Sequence, residues 1–213
     1  MQNDTAIIVT SYCGGNFEAE KRKMTRVICK RLFEAGHHVV LASHSTIDEE
    51  TQKYVHAYVY DSNNSFQING LPNRTTNHGV AELTSVHNAL KFLGDFKYFM
   101  KVTYDNKPDL DYHDVITKCK QTGKKAVTAK WGNNVTYGTQ MYFTEIDFFN
   151  RTLSLNEVSR CDKDLEYVWF DSIGDLGLHD DVCLLENYHN FMGQDVLQYS
   201  HSAGTSVDRY DFE

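Results

Sequence analysis

The sequence predicts an α/β protein with a Rossmann-like, mostly parallel central sheet flanked by helices and a mixed α+β C-terminal half. Over residues 1–131, short apolar runs alternate with amphipathic segments of helical period, which is the pattern of βαβ units. After residue 131 this alternation ends, and strand-like and helix-like stretches are mixed. The chain has 213 residues, enough for one sizeable core. We therefore expect a single domain, 1–213, with halves at 1–131 and 132–213.

The first third of the chain predicts three strands and two helices. "TAIIVTSY" is a β-branched run that ends just before two glycines, as a buried strand followed by a loop does. The helix after it places Met24, Ile28 and Leu32 on one stripe, and Gly36 closes it. The predicted strands are 5–12, 37–44 and 57–61, and the predicted helices are 16–36 and 47–55.

The rest of the chain begins with a polar loop, predicted over 62–79 from its Asn and Thr content. The next helix places Leu83, Val86 and Leu90 on its inner face. Further on, "TYGTQMYFTEIDFF" alternates and then becomes helical, and the remainder is predicted to be helical or irregular. The predicted elements in this part are helices at 79–94 and 112–123 and strands at 97–105 and 125–131.

The composition argues against nucleic acid and membrane as partners. The formal net charge of -8 disfavours binding to nucleic acid. No run approaches the roughly 20 apolar residues that a membrane span needs. The N-terminus lacks the basic segment of a signal peptide, and the five cysteines form no CxxC pair, as is typical of reduced thiols. We expect a cytoplasmic protein, in the host cell if the chain is viral.

Polar side chains follow three of the first four predicted strands. In open α/β sheets, ligands lie beyond the carboxyl ends of the strands, so these side chains should converge on one rim. A carboxylate there suits Mg²⁺ or Mn²⁺, which prefer oxygen ligands and bridge to a substrate diphosphate. The alternative for Asp105 is a turn cap before Pro108. The residues at the strand ends are Thr10, Ser11, Tyr12, Asp61, Thr103, Tyr104 and Asp105.

The stretch "GVAELTSVHNALKFLGDFKYFMKVTYDN" (79–106) resembles the central part of the GT-A-fold glycosyltransferases, which use nucleotide sugars. In that family a helix carrying Arg-Asn precedes an apolar strand that ends in D-x-D. Here His87 and Asn88 stand at the Arg-Asn position, and 103–105 stands at D-x-D. The departure is Thr103, which replaces the first Asp, so that one carboxylate of the motif is absent.

The resemblance implies a site for each part of a nucleotide-sugar donor. It implies that the end of the first strand holds the base and that Asp61 contributes to the nucleotide pocket. Arg74 is a candidate for the cation at the diphosphate, because a guanidinium suits phosphate geometry; the alternative is an exposed loop arginine. The implied nucleotide-binding residues are Thr10, Ser11, Tyr12, Asp61, Arg74, Asn88, Thr103 and Tyr104, and the implied metal ligands are Asp105 and His201.

A second acidic cluster lies in "DSIGDLGLHDDVCLLENYHNF" (171–191). Asp180 and Asp181 precede an apolar run that is predicted to start a helix, so they fit a helix N-cap. The resemblance implies another role, because an acidic pair late in the GT-A domain supplies the general base of inverting members. By that likeness Asp181 is the first candidate for the catalytic base and Asp180 the second.

The sequence thus predicts a metal-assisted, inverting glycosyltransferase that moves a hexosyl or deoxyhexosyl group from a UDP-sugar to a glycan hydroxyl. One alternative is a sugar nucleotidyltransferase, although "SYCGGNFEAEK" (11–21) lacks a basic residue close to its glycines. The other is a nucleotide-sugar or carbohydrate-binding domain with little or no turnover, which Thr103 makes reasonable. The chain also resembles the N-terminal glycosyltransferase domain of a large chlorella-virus protein, which implies a viral origin and a place in a longer, multidomain chain.

Overall fold

The computed structural model describes residues 4–13, 18–61, 74–130, 136–155, 165–187 and 190–196, without the side chains of 74–78 and 80. The first half contains β1 (Thr5–Ser11), α1 (Glu18–Glu34), β2 (His38–Ser43), α2 (Glu49–Gln52), β3 (Ala57–Tyr60), α3 (Arg74–Leu90), β4 (Tyr98–Thr103), α4 (Tyr112–Gln121) and β5 (Ala126–Ala129). The second half contains β6 (Met141–Glu145), α5 (Ile146–Thr152), α6 (Leu165–Asp175), β7 (Val182–Leu185), β8 (Asn190–Phe191) and β9 (Gln194–Asp195). The last two strands form a small hairpin.

Seven strands form the central sheet in the order β3-β2-β1-β4-β6-β5-β7. All are parallel except β6, which runs antiparallel to both β4 and β5. The prediction of a mostly parallel sheet flanked by helices is therefore confirmed. The carboxyl ends of β1, β2, β3 and β4 share one edge of the sheet, which we call the carboxyl edge.

Helices cover both faces of this sheet because its strands are apolar on both sides. Ile8 and Phe99 face the cluster that α3, α5 and α6 form, whereas Ile7 and Met100 face the cluster with α1 and α4. Strands buried on both faces read as continuous apolar runs, which is why β1 and β4 were recognisable in the sequence. In the part of the chain that the structure describes, no helix has the length and apolar character needed to cross a membrane.

Two predictions about secondary structure are wrong, one about where a helix begins and one about the type of an element. Helix α3 begins at Arg74, so the end of the predicted 62–79 loop is helical. A Cβ at Gly79 would lie 3.1 Å from the Cβ of Leu165 on α6, so this glycine allows two helices to approach closely. The predicted helix after Asp181 is the strand β7, since four apolar residues fit either element by periodicity.

Candidate active site

A pocket opens at the carboxyl edge, with a volume of about 400 Å³. The ends of β1, β2 and β4 form part of its wall, and residues from α1, α3, α6 and the segment before β6 complete it. Its lining residues are Thr10, Ser11, Tyr12, Lys21, Ala42, His44, Glu82, Ser85, Thr103, Tyr104, Asp105, Thr139, Gln140 and Glu166. The structure therefore brings together the predicted residues from the ends of the first and fourth strands.

Asp105 lies in a tight turn after β4 and is 5% exposed. The Thr103 hydroxyl donates a hydrogen bond to the Asp105 carboxylate. Asn106, fully buried, accepts a hydrogen bond from the backbone N–H of Thr103 at 2.7 Å through its Oδ1. Its Nδ2 donates to the carbonyl of Val196 at 3.3 Å. These contacts fix the direction of the Asp105 side chain before any ligand binds.

The residues around Asp105 fit a divalent cation only if a ligand shares the coordination. Within the described ranges, no three His, Cys, Asp or Glu side chains are grouped so as to hold a metal ion. Magnesium, however, is commonly bound by one or two carboxylates together with substrate phosphates and water. A single rigid carboxylate at the end of β4 therefore fits the metal of a metal–diphosphate and does not fit an ion held by protein alone.

The end of β1 supplies an aromatic ring and a nearby cation. Ser11 is turned towards α1, where its hydroxyl lies 2.7 Å from the hydroxyl of Thr25. Tyr12 lines the pocket, and Lys21 Nζ lies 5.4 Å from the centroid of its ring. Such a cation–π contact orients both side chains. Lys21 is seven residues beyond Gly14 in the sequence, and its place on α1 brings it to the pocket.

His44 and Ser85 form a hydrogen-bonded pair in the pocket. His44 Nδ1 lies 3.1 Å from the backbone carbonyl of Asp61, and His44 Nε2 lies 2.9 Å from the hydroxyl of Ser85. A carbonyl only accepts, so Nδ1 carries the proton of a neutral ring and Nε2 accepts from Ser85. Asp61 thus holds His44 through its backbone, and its side chain is not among the residues that line the pocket.

Two glutamates line the pocket beside a buried lysine. The ammonium of Lys101 pairs with the carboxylate of Glu82 and donates to the carbonyl of Thr139 at 2.6 Å. The hydroxyl of Thr139 donates to Glu166 Oε1 at 2.9 Å. Burial and then the negative charge of Glu82 raise the pKa of the Tyr142 phenol well above its usual value. The pocket therefore has two oriented carboxylates in addition to Asp105.

Several predicted residues are not brought to this pocket. Asn88 lies farther along α3, where its Oδ1 accepts a hydrogen bond from Lys91 at 2.8 Å. It is six residues past Glu82, which is roughly 9 Å along a helix that leads away from the carboxyl edge. Arg74 begins α3, but its side chain lies outside the described residues, and so does all of His201.

Asp180 and Asp181 lie at the opposite edge of the sheet. Because β7 runs parallel to β5, its first residues are level with the first residues of β4. Asp181 pairs through its carboxylate with Lys125 Nζ at 3.0 Å. Thr103, the last residue of β4, is five residues beyond Tyr98, the first, which is roughly 16 Å along the strand. The pair belongs to a 3₁₀ turn, His179–Asp181, that precedes a strand, and its role as the catalytic base stays a prediction.

Comparison with solved structures finds a similar fold in several enzymes. A protein from Desulfovibrio desulfuricans described as a nucleotide-diphospho-sugar transferase is 10% identical, with a TM-score of 0.52 over 87% of this chain and 80% of its own. A glycosyltransferase involved in glycosylation of the major capsid of PBCV-1 is 9% identical, with a TM-score of 0.52 over 85% of this chain and 82% of its own. The 4-diphosphocytidyl-2C-methyl-D-erythritol synthase of Anaerococcus prevotii is 9% identical, with a TM-score of 0.51 over 92% and 94%.

No protein-family model and no curated protein matches the sequence. The chain has a GT-A-like fold, as the resemblance to nucleotide-sugar glycosyltransferases implied. At identities of 10% or less, the likeness establishes the fold alone. The function has to be argued from the side chains in the pocket.

Proposed function

We propose that this protein is a glycosyltransferase that transfers a hexosyl or deoxyhexosyl group from a UDP-sugar to a hydroxyl group of a glycan. The observation that carries the proposal is the pocket at the carboxyl edge, which combines Asp105 at the end of β4 with two further carboxylates, Glu82 and Glu166. Its position is where open α/β sheets bind their ligands. Its volume of about 400 Å³ is within the range of small-molecule sites.

The nucleotide extends across the strand ends in this proposal. Tyr12 at the end of β1 stacks on the base, with Thr10 and Ser11 beside it. The diphosphate lies near Thr103 and Tyr104, and Lys21 contributes positive charge. The side chains of Asp61 and Asn88 have no proposed contact, because neither lines the pocket. Arg74 remains a candidate for binding the diphosphate, as the sequence predicts. His201 remains a candidate metal ligand.

Asp105 would hold Mg²⁺ or Mn²⁺ together with the diphosphate. The cation would neutralise the charge that grows on the leaving UDP. The charges of the pocket lining support a bound cation. Three carboxylates and one lysine line the pocket, and the neighbouring Lys101 is already paired with Glu82. Without an added cation, the described part of the pocket would repel a diphosphate.

Glu166 is our candidate for the general base. A glycan hydroxyl is a poor nucleophile at neutral pH, and a carboxylate that takes its proton as attack proceeds contributes about 10²–10⁴-fold in rate. Glu166 lies in the first turn of α6, lines the pocket and is oriented by Thr139. Glu82 is a poorer candidate because its carboxylate is already paired with the Lys101 ammonium. Direct displacement with one base inverts the configuration at the sugar carbon.

A sugar nucleotidyltransferase is the second candidate function. Lys21 favours it, because a lysine after the first strand is in contact with the pocket although the sequence places it far from the glycines. The Anaerococcus prevotii enzyme, similar over most of both chains, adds fold-level support. Such an enzyme would join a nucleoside triphosphate to a sugar phosphate and release pyrophosphate, with no need of a base for an acceptor hydroxyl.

One experiment separates these functions. The protein is incubated with Mn²⁺ and a panel of UDP-sugars, with and without glycan acceptors, and released UDP is measured. A parallel reaction contains UTP, glucose 1-phosphate and Mg²⁺, and released pyrophosphate is measured. Acceptor-dependent release of UDP supports the glycosyltransferase, and release of pyrophosphate supports the nucleotidyltransferase. If neither UDP nor pyrophosphate is released but UDP still binds in a metal-dependent way, the protein is a binding domain without turnover.

A further inference from the structure

Lys101 lies in the middle of β4 and is 0% exposed. Its neighbours across the sheet are Ile8 on β1 and Tyr142 on β6. An apolar residue would satisfy this position. Replacing a buried ion pair by well-packed apolar residues is often neutral or stabilising, so stability alone does not explain the lysine. The explanation has to come from what its ammonium contacts.

The Lys101 ammonium joins separate parts of the pocket wall. It pairs with Glu82 on α3 and donates at 2.6 Å to the carbonyl of Thr139, which precedes β6. Thr139 in turn donates through its hydroxyl to Glu166 on α6. Glu82, Thr139 and Glu166 all line the pocket, whereas Lys101 lies behind them. One buried cation thus connects both glutamates of the wall.

Each of the two carboxylates has more acceptor sites than its contact with Lys101 or Thr139 uses. A carboxylate has two oxygens with about four acceptor sites, so each glutamate can still accept hydrogen bonds from hydroxyl groups. Hydrogen bonds to a charged acceptor are roughly twice as strong as neutral ones, and a carboxylate already held in place loses less entropy when the ligand binds. A sugar offers several hydroxyl donors on a rigid ring, which matches two oriented acceptors.

We propose that Lys101 is a positioning residue that holds Glu82 and, through Thr139, Glu166 as hydrogen-bond acceptors for the sugar of the bound nucleotide sugar. Glu166 has two carboxylate oxygens, so one can accept from this sugar while the other takes the proton of the acceptor hydroxyl. The proposal rests on the proposed function, because it takes the ligand to be a nucleotide sugar. Lys101 does not touch the ligand itself. Its loss therefore weakens the binding of the sugar and leaves the binding of the nucleotide unchanged.

The test compares the affinity for UDP with the affinities for UDP-glucose and UDP-galactose, measured by calorimetry with Mn²⁺. The variants are Lys101→Met, which keeps a long unbranched side chain, and Thr139→Val, which keeps the carbonyl that Lys101 contacts and removes the hydroxyl. For each variant we expect the better-bound UDP-sugar to lose about tenfold in affinity, the value of one charge-assisted hydrogen bond. The affinity for UDP should stay within about twofold of wild type.

A double variant separates positioning from a purely structural role. Lys101→Met leaves the Glu82 carboxylate without its cation, which lowers the melting temperature. Lys101→Met combined with Glu82→Gln removes that charge and should recover most of the melting temperature. If Lys101 is a positioning residue, the double variant still lacks the affinity that the sugar adds, because both ordered acceptors are disturbed. A structural role alone predicts that melting temperature and sugar affinity recover together.

Two results would overturn the role of Lys101 while leaving the proposed function intact. The first is an unchanged ratio of UDP to UDP-sugar affinity in Lys101→Met and Thr139→Val. The second is recovery of that ratio in the double variant. If the wild-type protein binds neither UDP nor either UDP-sugar, the proposed function fails, and the role of Lys101 fails with it.

Discussion

The hydroxyl of Thr103 donates a hydrogen bond to the carboxylate of Asp105, two residues further on in the turn after β4. By the sequence resemblance, Thr103 is expected to stand at the position of the first carboxylate of the D-x-D motif in the GT-A family. In this chain the residue at that position orients the remaining carboxylate and adds no second charge. The metal affinity of the free protein should therefore be low, and the metal should be held mainly in the presence of a diphosphate.

The first prediction concerns Asp105→Asn. Asparagine has the same shape and can still accept the hydrogen bond of Thr103, so the fold should be retained. The negative charge is lost, so we expect the increase in UDP affinity with added Mn²⁺ to disappear. The measurement is a calorimetric titration of UDP into wild type and variant, each with and without Mn²⁺. Equal metal dependence in both proteins would remove Asp105 from the site.

Thr103→Val provides the matched control for that variant. Valine has the size of threonine but no hydroxyl, so the charge of Asp105 stays and only its orientation is loosened. We expect a reduced but detectable effect of Mn²⁺ on UDP affinity. The loss of one hydrogen bond should lower the free energy of unfolding by about 1 kcal/mol. A complete loss of the metal effect in Thr103→Val would mean that the hydroxyl is itself a ligand.

The sequence predicted the sheet well because the signals there are local and strong. The runs that became β1, β2 and β4 are apolar over their whole length, and each is separated from the next by a helix of clear period. The position of Asp105 followed from the same pattern, since a strand end in a parallel sheet fixes an edge. The strand Val182–Leu185 was mistaken for a helix start because four apolar residues carry no usable period.

The residues that the sequence did not reveal are those that depend on tertiary contacts. Lys101 is one lysine in an apolar strand, and nothing local indicates that its partners come from α3 and the segment before β6. Glu166 carried a weak signal, as an acid in the first turn of a helix, but such acids are common at exposed helix starts. Asp181 had the stronger local signal, yet the direction of β7 places it at the other edge.

The second prediction concerns stability at acid pH. His37 is 2% exposed, and burial, together with the nearby His113, lowers its pKa from 6.5 to about 4. Between these values the unfolded chain binds a proton that the folded chain does not. The free energy of unfolding should therefore fall as the pH falls from 6.5 towards 4, by up to about 1.4 kcal/mol per unit, and should be insensitive to His37 above that window.

The measurement is denaturant unfolding of wild type and His37→Phe between pH 4 and 8. Phenylalanine preserves an aromatic ring beside His113, which stacks on His37 with centroids 4.0 Å apart. The variant should lose less stability on acidification. The stability of the variant should still fall somewhat with falling pH, because burial also lowers the pKa values of His38 and His87. Parallel curves for both proteins would show that His37 does not contribute.

The third prediction concerns Tyr12. If its ring stacks on the base, Tyr12→Phe should bind UDP as the wild type does, because the ring is retained. Tyr12→Ala should weaken UDP binding by about 1–3 kcal/mol, the usual contribution of an aromatic ring stacked on a base. Both affinities can be measured by calorimetry with Mn²⁺ present. An unchanged affinity in Tyr12→Ala would place the base elsewhere in the pocket.

The fourth prediction decides between two acids for the general base, and it applies to whichever UDP-sugar and acceptor support transfer. Glu166→Gln keeps the length of the side chain and can still accept a hydrogen bond from Thr139, so the fold and the binding of UDP should persist. Transfer at saturating donor should fall by about 10²–10⁴-fold, as expected for a lost general base.

Asp181→Asn is the control, since it removes a carboxylate that pairs with Lys125 at the opposite edge. A partly exposed ion pair of this kind contributes at most about 1 kcal/mol, so Asp181→Asn should change neither the melting temperature nor the rate appreciably. The opposite pattern, with Glu166→Gln active and Asp181→Asn inactive, would show that the base implied by the family resemblance acts from outside this pocket.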